Sequence, residues 1–292
     1  MCIIGLTAVA PHAALSAATT VSANANGNAI TLAPVKAQRH HAQEPAFIIN
    51  HGRVTMLPSA AKKDINNWGG YAVDACSTCH LRYVNANFTV PKVSCANSTM
   101  GSEGAEDDFW VGLDGDTDNT VEQVGVQVVC ASKTSAPAYS PWYEMYPLNP
   151  VPISRTVKAG DKIAISTYYD QSNNVYDMTF TDSSEGQSTY TKNGLTCPSG
   201  SSCLNKSAEV ITENAGDGAP YLDLANFGAV TFSGTTVTSL DGTKGDLCAG
   251  PLWSIDENIM EDNSGNVMVF PTSPLSTCSG PDGFTDDFYA SS

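Results

Sequence analysis

The sequence predicts an all-β chain: an antiparallel β-sandwich of jelly-roll type, preceded by a disordered or extended leader. Three observations predict it. From Trp68 onward, short β-branched and aromatic runs alternate with clusters of Gly, Asn, Asp, Ser and Pro. No long window sustains a helical repeat of apolar residues. Two segments alternate strictly between polar and apolar side chains, as strands with two different faces do.

The runs of strand length follow in order as Phe88-Thr-Val90, Phe109 to Leu113, Val124 to Val129, Lys162 to Tyr169, Val175 to Thr181, Phe227 to Phe232 and Val267 to Phe270. Turn-forming residues separate them, so antiparallel connections are expected. In Val121 to Cys130, Gln123, Gly125 and Gln127 share one face and Val124, Val126 and Val128 the other. One face reads as core and the other as the polar lining of a cleft. In Ala208 to Asn214, Glu209, Ile211 and Glu213 share a face.

Three segments are expected. Residues 1–23 read as a truncated signal peptide: Ile3-Ile-Gly-Leu6 opens a short apolar run, and Val21-Ser-Ala23 offers small residues for cleavage. Residues 24–66 are polar, basic and poor in aromatics, and carry Lys62-Lys63 near their end, which reads as a propeptide. Residues 67–292 form the sandwich, with about 240–292 as a C-terminal extension holding Cys248 and Cys278.

Charge divides the chain at the same place. Residues 1–63 hold five bases and one acid, a charge of +4. Of 14 bases and 30 acids in all, 9 and 29 remain for the body, a charge of -20. Such a body repels phosphates, so no nucleic-acid partner is expected. It also repels itself as its carboxyls ionise, which predicts stability in acid that is lost as pH rises. The opposite charge of the leader suits a propeptide that lies on the body and inhibits it. No stretch approaches the ~20 apolar residues of a membrane span, so no membrane partner is expected.

The body holds one histidine, His80; His12, His40, His41 and His51 all lie in the leader. A Ser-His-Asp or Cys-His system would have to use His80, and a zinc site lacks ligands. Cys76-Ser-Thr-Cys79-His80 matches a haem attachment pattern, but a short disulfide loop suits it better. Apart from Cys2, eight cysteines remain: an even set in a charge-poor chain, pointing to disulfides and an oxidising compartment. Asn87-Phe-Thr89, Asn97-Ser-Thr99 and Asn205-Lys-Ser207 match the glycosylation acceptor pattern. Asp114-Gly-Asp-Thr-Asp118 begins like a Ca²⁺ loop, but Asn119 replaces the glycine and Gly125 the final acid, so a tight turn is expected. No metal and no cofactor is expected. What remains is carboxylate chemistry assisted by amides.

At this point an ordered set of segments resembles the glutamic peptidases, or eqolisins. It comprises Asn67-Trp-Gly-Gly-Tyr71, Phe88-Thr-Val-Pro91, Trp110-Val-Gly-Leu-Asp-Gly115, Val121-Glu-Gln-Val-Gly125, Trp142-Tyr-Glu-Met-Tyr-Pro147, Ala208-Glu-Val-Ile-Thr-Glu213 and Asn226-Phe-Gly-Ala-Val-Thr-Phe232. The resemblance implies a concanavalin A-like sandwich with a substrate groove on one concave face. It maps the family's catalytic glutamine to Gln123 and its glutamate to Glu209. Trp110, Asp114, Glu144 and Gln127 match positions that line or support the groove. Val210 stands where fungal-type members often have Trp, and Gln127 where some have Asp; both changes bear on subsite shape or pH optimum.

The expectation is a secreted, monomeric proenzyme that cleaves protein or peptide substrates in acid. Two rivals stand beside it. A glycoside hydrolase on a similar sandwich would pair Glu209 with Glu213 or Glu122. A carbohydrate-binding sandwich would use Trp68, Trp110 and Trp142 as stacking platforms.

Overall fold

The computed structural model describes residues 67–289 except 99, 101–103, 117, 185, 215–222, 249, 251, 263–264 and 272–282, and before them only the backbone of six short strands. Contacts divide the chain into Met1–Ala33 and Pro34–Ser292. The first unit contains the antiparallel pair β1 (Thr20–Ala23) and β2 (Ala29–Thr31). In the second, β3 (His41–Ala42) pairs with β6 (Asp64–Ile65), and β4 (Phe47–Asn50) with β5 (Arg53–Met56). The rest of residues 1–66, including Lys62-Lys63, lies outside the described residues.

Two antiparallel sheets follow, as expected of a sandwich. The first runs β12 (Val151–Pro152), β11 (Ala138–Tyr146), β10 (Val121–Cys130), β9 (Ala105–Leu113), β16 (Ser207–Glu213), β7 (Trp68–Ala75) and β20 (Trp253–Asn258). The short β17 (Asp223–Leu224) runs parallel to the start of β9, just beyond the point where β16 ends. The second runs β15 (Tyr190–Leu195), β14 (Val175–Asp182), β13 (Lys162–Asp170), β8 (Leu81–Thr89), β18 (Ala229–Ser239), β23 (Phe284–Phe288), β22 (Val267–Pro271) and β21 (Met260–Glu261), with β19 (Lys244–Gly245) beside β18. Residues beyond 240 therefore supply strands to both sheets, β20 to the first and β21, β22 and β23 to the second.

The main core lies between the sheets. Val124, Val126 and Val128, Val111, Leu113, Ala208 and Val210 face it from the first sheet. Phe88, Ile163, Ile165, Met178, Phe180, Val230 and Phe232 face it from the second. β14 alternates buried and half-buried residues along its whole length, as a strand with one wet face does. The central strands β9 and β16 are buried at every position, and β10 at all but one. The polar face read from the alternation of Gln123, Gly125 and Gln127 is thus real, but it is covered.

That second face carries its own apolar cluster of Trp68, Trp110, Val121, Trp142 and Ile211. The rings of Trp68 and Trp110 meet edge to face at 5.0 Å. Gly125 makes room for the Trp110 side chain: a Cβ there would sit 2.6 Å from both Phe109 O and Trp110 Cβ.

Cys76–Cys79, Cys95–Cys130 and Cys197–Cys203 are disulfides. The first removes the thiols that the haem pattern would need. Cys248 is also disulfide-bonded, while Cys278 lies outside the described residues. Asn205 corrects one glycosylation reading. It is buried at 5% exposure, and its Oδ1 accepts the Tyr176 hydroxyl proton at 3.0 Å.

Candidate active site

Strand register builds the site. Gln123 of β10 lies opposite Gly112 of β9, and Gly112 lies opposite Glu209 of β16. Directly opposed residues point to the same face, so Gln123 and Glu209 flank Gly112 on one side of the sheet. Two strand spacings separate their backbones by about 9.5 Å. Gly112 puts no side chain of its own between them. A Cβ there would press on Trp110 Cζ3 and Val121 Cγ1 at 3.0 Å and on Gln123 Cβ at 3.2 Å.

The row continues outward on both sides. Glu144 of β11 lies opposite Gln123, and its Oε2 accepts a hydrogen bond from Gln123 Nε2 at 2.6 Å. Ala72 of β7 lies opposite Glu209, and Asp256 of β20 opposite Ala72. Gln123, Glu144 and Glu209 are fully buried. Burial pushes the Glu144 carboxyl well above the usual carboxylate range; the Gln123 amide works against that shift and the Glu213 charge adds to it.

Two acids fix the tryptophans beside this row. Glu213 Oε2 accepts from Trp110 Nε1 at 2.8 Å and its Oε1 from Asn67 Nδ2 at 2.9 Å. Asp108 Oδ1 accepts from Trp142 Nε1 at 2.7 Å. Gln127 lies opposite Asp108, which lies opposite Glu213, so these three form a second row on the same face. Burial, then the charges of Glu106 and Glu213, raise the Asp108 pKa, and hydrogen bonds from Trp142 and Gln127 oppose the rise. Asp108 and Asn67 are site residues that reading the sequence missed. The alternation of Asp108 with Trp110 along one strand was the available signal.

Asp114 sits in the turn after β9. It matched a groove position, but its backbone turns at φ 61°, and both carboxylate oxygens are spent on amides that lead into β16. Oδ2 accepts from Asn205 N and Oδ1 from Lys206 N, each at 2.7 Å. It is a fully buried staple between two chain segments. Burial, with the nearby Asp118, lifts its pKa to about 7 against those two N–H donors.

The glycosidase pairings lose their geometry. Glu122 points to the opposite face of the sheet from Glu209, because neighbouring residues in a strand alternate. Glu213 shares the face but lies four residues along β16, about 14 Å away at the backbone. His80 is exposed in the loop between β7 and β8. Among the described residues, carboxylate oxygens of Asp74, Asp116 and Asp256 come within 4.8 Å of one another. An acid trio in a body of this charge is not by itself a metal site, and we do not read these residues as ligands.

The sandwich is that of a class of proteins, the glutamic peptidases. The chain belongs to the Peptidase A4 family, whose model matches residues 66–267. It is 28% identical over 246 residues to Aspergillopepsin-2 of Aspergillus niger, covering 78% of this chain and 82% of that protein. Among solved structures it is similar to Scytalido-glutamic peptidase with a peptide-based transition state analogue. That likeness has a TM-score of 0.58 at 25% identity and covers 77% of this chain and 98% of the other. It is also similar to aspergilloglutamic peptidase from Aspergillus niger. There the TM-score is 0.52 at 25% identity, covering 63% of this chain and 99% of the other.

Proposed function

We propose that this peptidase hydrolyses peptide bonds in acid with Glu209 and Gln123 as its catalytic pair. The observation that carries the reading is the shared row, in which both residues flank Gly112 on one face of the sheet. Glu209, as carboxylate, takes a proton from a water bound with the substrate; the water oxygen attacks the carbonyl carbon. The carbonyl oxygen becomes an oxyanion and accepts the Gln123 N–H that Glu144 leaves free. Glu209 then delivers its proton to the leaving nitrogen as the C–N bond breaks. One such oxyanion donor is typically worth ~3–4 kcal/mol.

Glu144 orients the amide through the 2.6 Å hydrogen bond. Trp110 and Trp142, steadied by Glu213 and Asp108, form the apolar surface on which side chains of the substrate rest. Gln127 extends the polar lining beyond them, and Asp114 supports the groove from its turn.

The same reading covers biosynthesis. The chain is secreted as a monomeric proenzyme, and residues 24–66 inhibit the acidic body until acid protonates it. Disulfides support an oxidising destination. The test is digestion of casein between roughly pH 2 and 5, where a free glutamate titrates. Glu209→Gln and Gln123→Ala are compared with the parent. Loss of activity in both, with the fold retained, is expected; an unchanged rate in either rejects that residue's role. Acid incubation of the precursor yields a new N-terminus between Lys63 and Asn67.

A further inference from the structure

Glu122 breaks the pattern of its own strand. The residues that share its face, Val124, Val126 and Val128, are core valines. Glu122 is fully buried among them at one end, opposite Leu113 and Met145. Among the described residues, neither of its oxygens accepts a hydrogen bond from an N–H or O–H donor. What its carboxyl faces instead is acidic. Asp114 lies within hydrogen-bonding reach and Asp118 nearby, both from the turn after β9, with Glu209 of β16 further off. Tyr176 of β14 faces it from the second sheet, backed by Tyr169 of β13 at a ring separation of 4.9 Å. Among the described residues, no cation figures among the groups that act on it.

A buried carboxylate with only carboxylates and phenols for company is costly; a neutral carboxyl that donates its proton to one of them is not. The acceptor within reach is Asp114. Asp114 in turn holds the backbone amides of Asn205 and Lys206 and donates its own N–H to Ser207 O at 3.0 Å. Asn205 is held from the other side by the Tyr176 hydroxyl. Ser207 lies two residues before Glu209 on the same strand, so this junction sets where Glu209 begins.

We propose that Glu122 is a positioning residue, a buried proton clamp on the far side of the sheet from the cleft. Protonated, it donates to Asp114 and keeps the turn and the Asn205–Ser207 lead-in closed, so that Glu209 stands opposite Gly112. Ionised, it repels Asp114 and Asp118, the junction opens, and Glu209 loses its place. Burial together with the surrounding acids holds the Glu122 proton well above the usual carboxylate range. A raised folded-state pKa stabilises the closed form fully below the unfolded value and loses that stability as pH rises. The clamp is shut in acid and released toward neutrality. The link to activity rests on Glu209 acting as base.

Glu122→Gln tests this, since glutamine supplies an uncharged donor of the same shape at every pH. Melting temperature and amide exchange at Asn205 and Lys206 are followed from acid to neutral pH without substrate, and the alkaline limb of peptidase activity is followed with it. The expected result is that the midpoint of the neutral-pH loss moves upward by about one pH unit or more in all three readouts, with little change in acid. Glu122→Leu, which restores the apolar face, moves the two substrate-free readouts the same way. Profiles that coincide with the parent, or that drop by the same amount at every pH, overturn the proposal. So does failure of both variants to fold in acid, where the parent already holds an uncharged side chain. An inactive parent would sink the peptidase mechanism and leave the melting and exchange tests standing.

Discussion

The Gln123 side-chain amide donates to Glu144 across one strand spacing, at 2.6 Å and fully buried, while Gln123 Oε1 has no donor among the described residues. The tether therefore holds Nε2 itself, whose second N–H is the one proposed to meet the oxyanion. Removing the tether with Glu144→Ala should leave the fold intact and let the amide swing. A buried hydrogen bond of this kind is worth about 1–3 kcal/mol, so kcat should fall roughly 10- to 100-fold, with KM changed less. Steady-state kinetics in acid alongside circular dichroism checks it. A parent-like kcat would show that Glu144 does not orient the amide.

Gly112 should tolerate nothing larger. Its Cβ would meet three groups at 3.0–3.2 Å, including Gln123 itself, on the face that carries the proposed pair. Gly112→Ala is expected to cost about 1–3 kcal/mol of stability from overpacking. Activity should fall by more than that loss explains, because the carbonyl and its water compete with the new methyl. Denaturant unfolding and kinetics on the same preparation separate the two effects.

Stability should be greatest in acid. Asp286 is buried beneath β16, where its Oδ2 accepts from Thr212 Oγ1 at 2.7 Å, and burial lifts its pKa to about 8. Burial also raises Asp107, Asp108 and Glu144, and holds Asp114 at about 7. For an acid whose folded pKa is raised, stability is complete below the unfolded value near 4 and is lost as pH rises through the folded value. Tm should therefore fall between about pH 4 and 8. Asp286→Asn keeps an acceptor for Thr212 but cannot ionise. It should match or trail the parent in acid and overtake it near neutrality. Calorimetry across that range decides; a parent Tm that climbs toward neutral pH contradicts the account.

The Cys95–Cys130 disulfide ties the short 3₁₀ turn at Cys95 to the end of β10 and spans 35 residues. Both cysteines are buried in the main core. Closing a loop of that length restricts the unfolded chain by about 4 kcal/mol. Replacing both cysteines with alanine should lower Tm by roughly 10 °C, while kcat in acid stays near the parent because the bond lies outside the Gln123–Glu209 row. The pair Cys76–Cys79 closes so few residues that its removal should cost far less.

Much of this was legible residue by residue. Alternation in β10 and β16 put Gln123 and Glu209 on polar faces, because a strand repeats every two residues whatever surrounds it. The same rule set Glu122 on the opposite face, although nothing local said that this face would be core at that end. The motif placed Asp114 at a groove position; the amides that its carboxylate holds come from residues 205 and 206, too far along the chain to be read locally. Asn205 matched an acceptor triplet, and a triplet is blind to burial.

Taken alone, the sequence determined the strands, their faces and the acidic body. Each follows from chemistry within a few residues. Tertiary structure alone decided that Gln123 and Glu209, 86 positions apart, come to rest on either side of one glycine. That depends on which strands exchange hydrogen bonds, and in what register. Register is settled only when two sheets bury their apolar faces against each other, since a slip of one residue would turn each side chain to the wrong side.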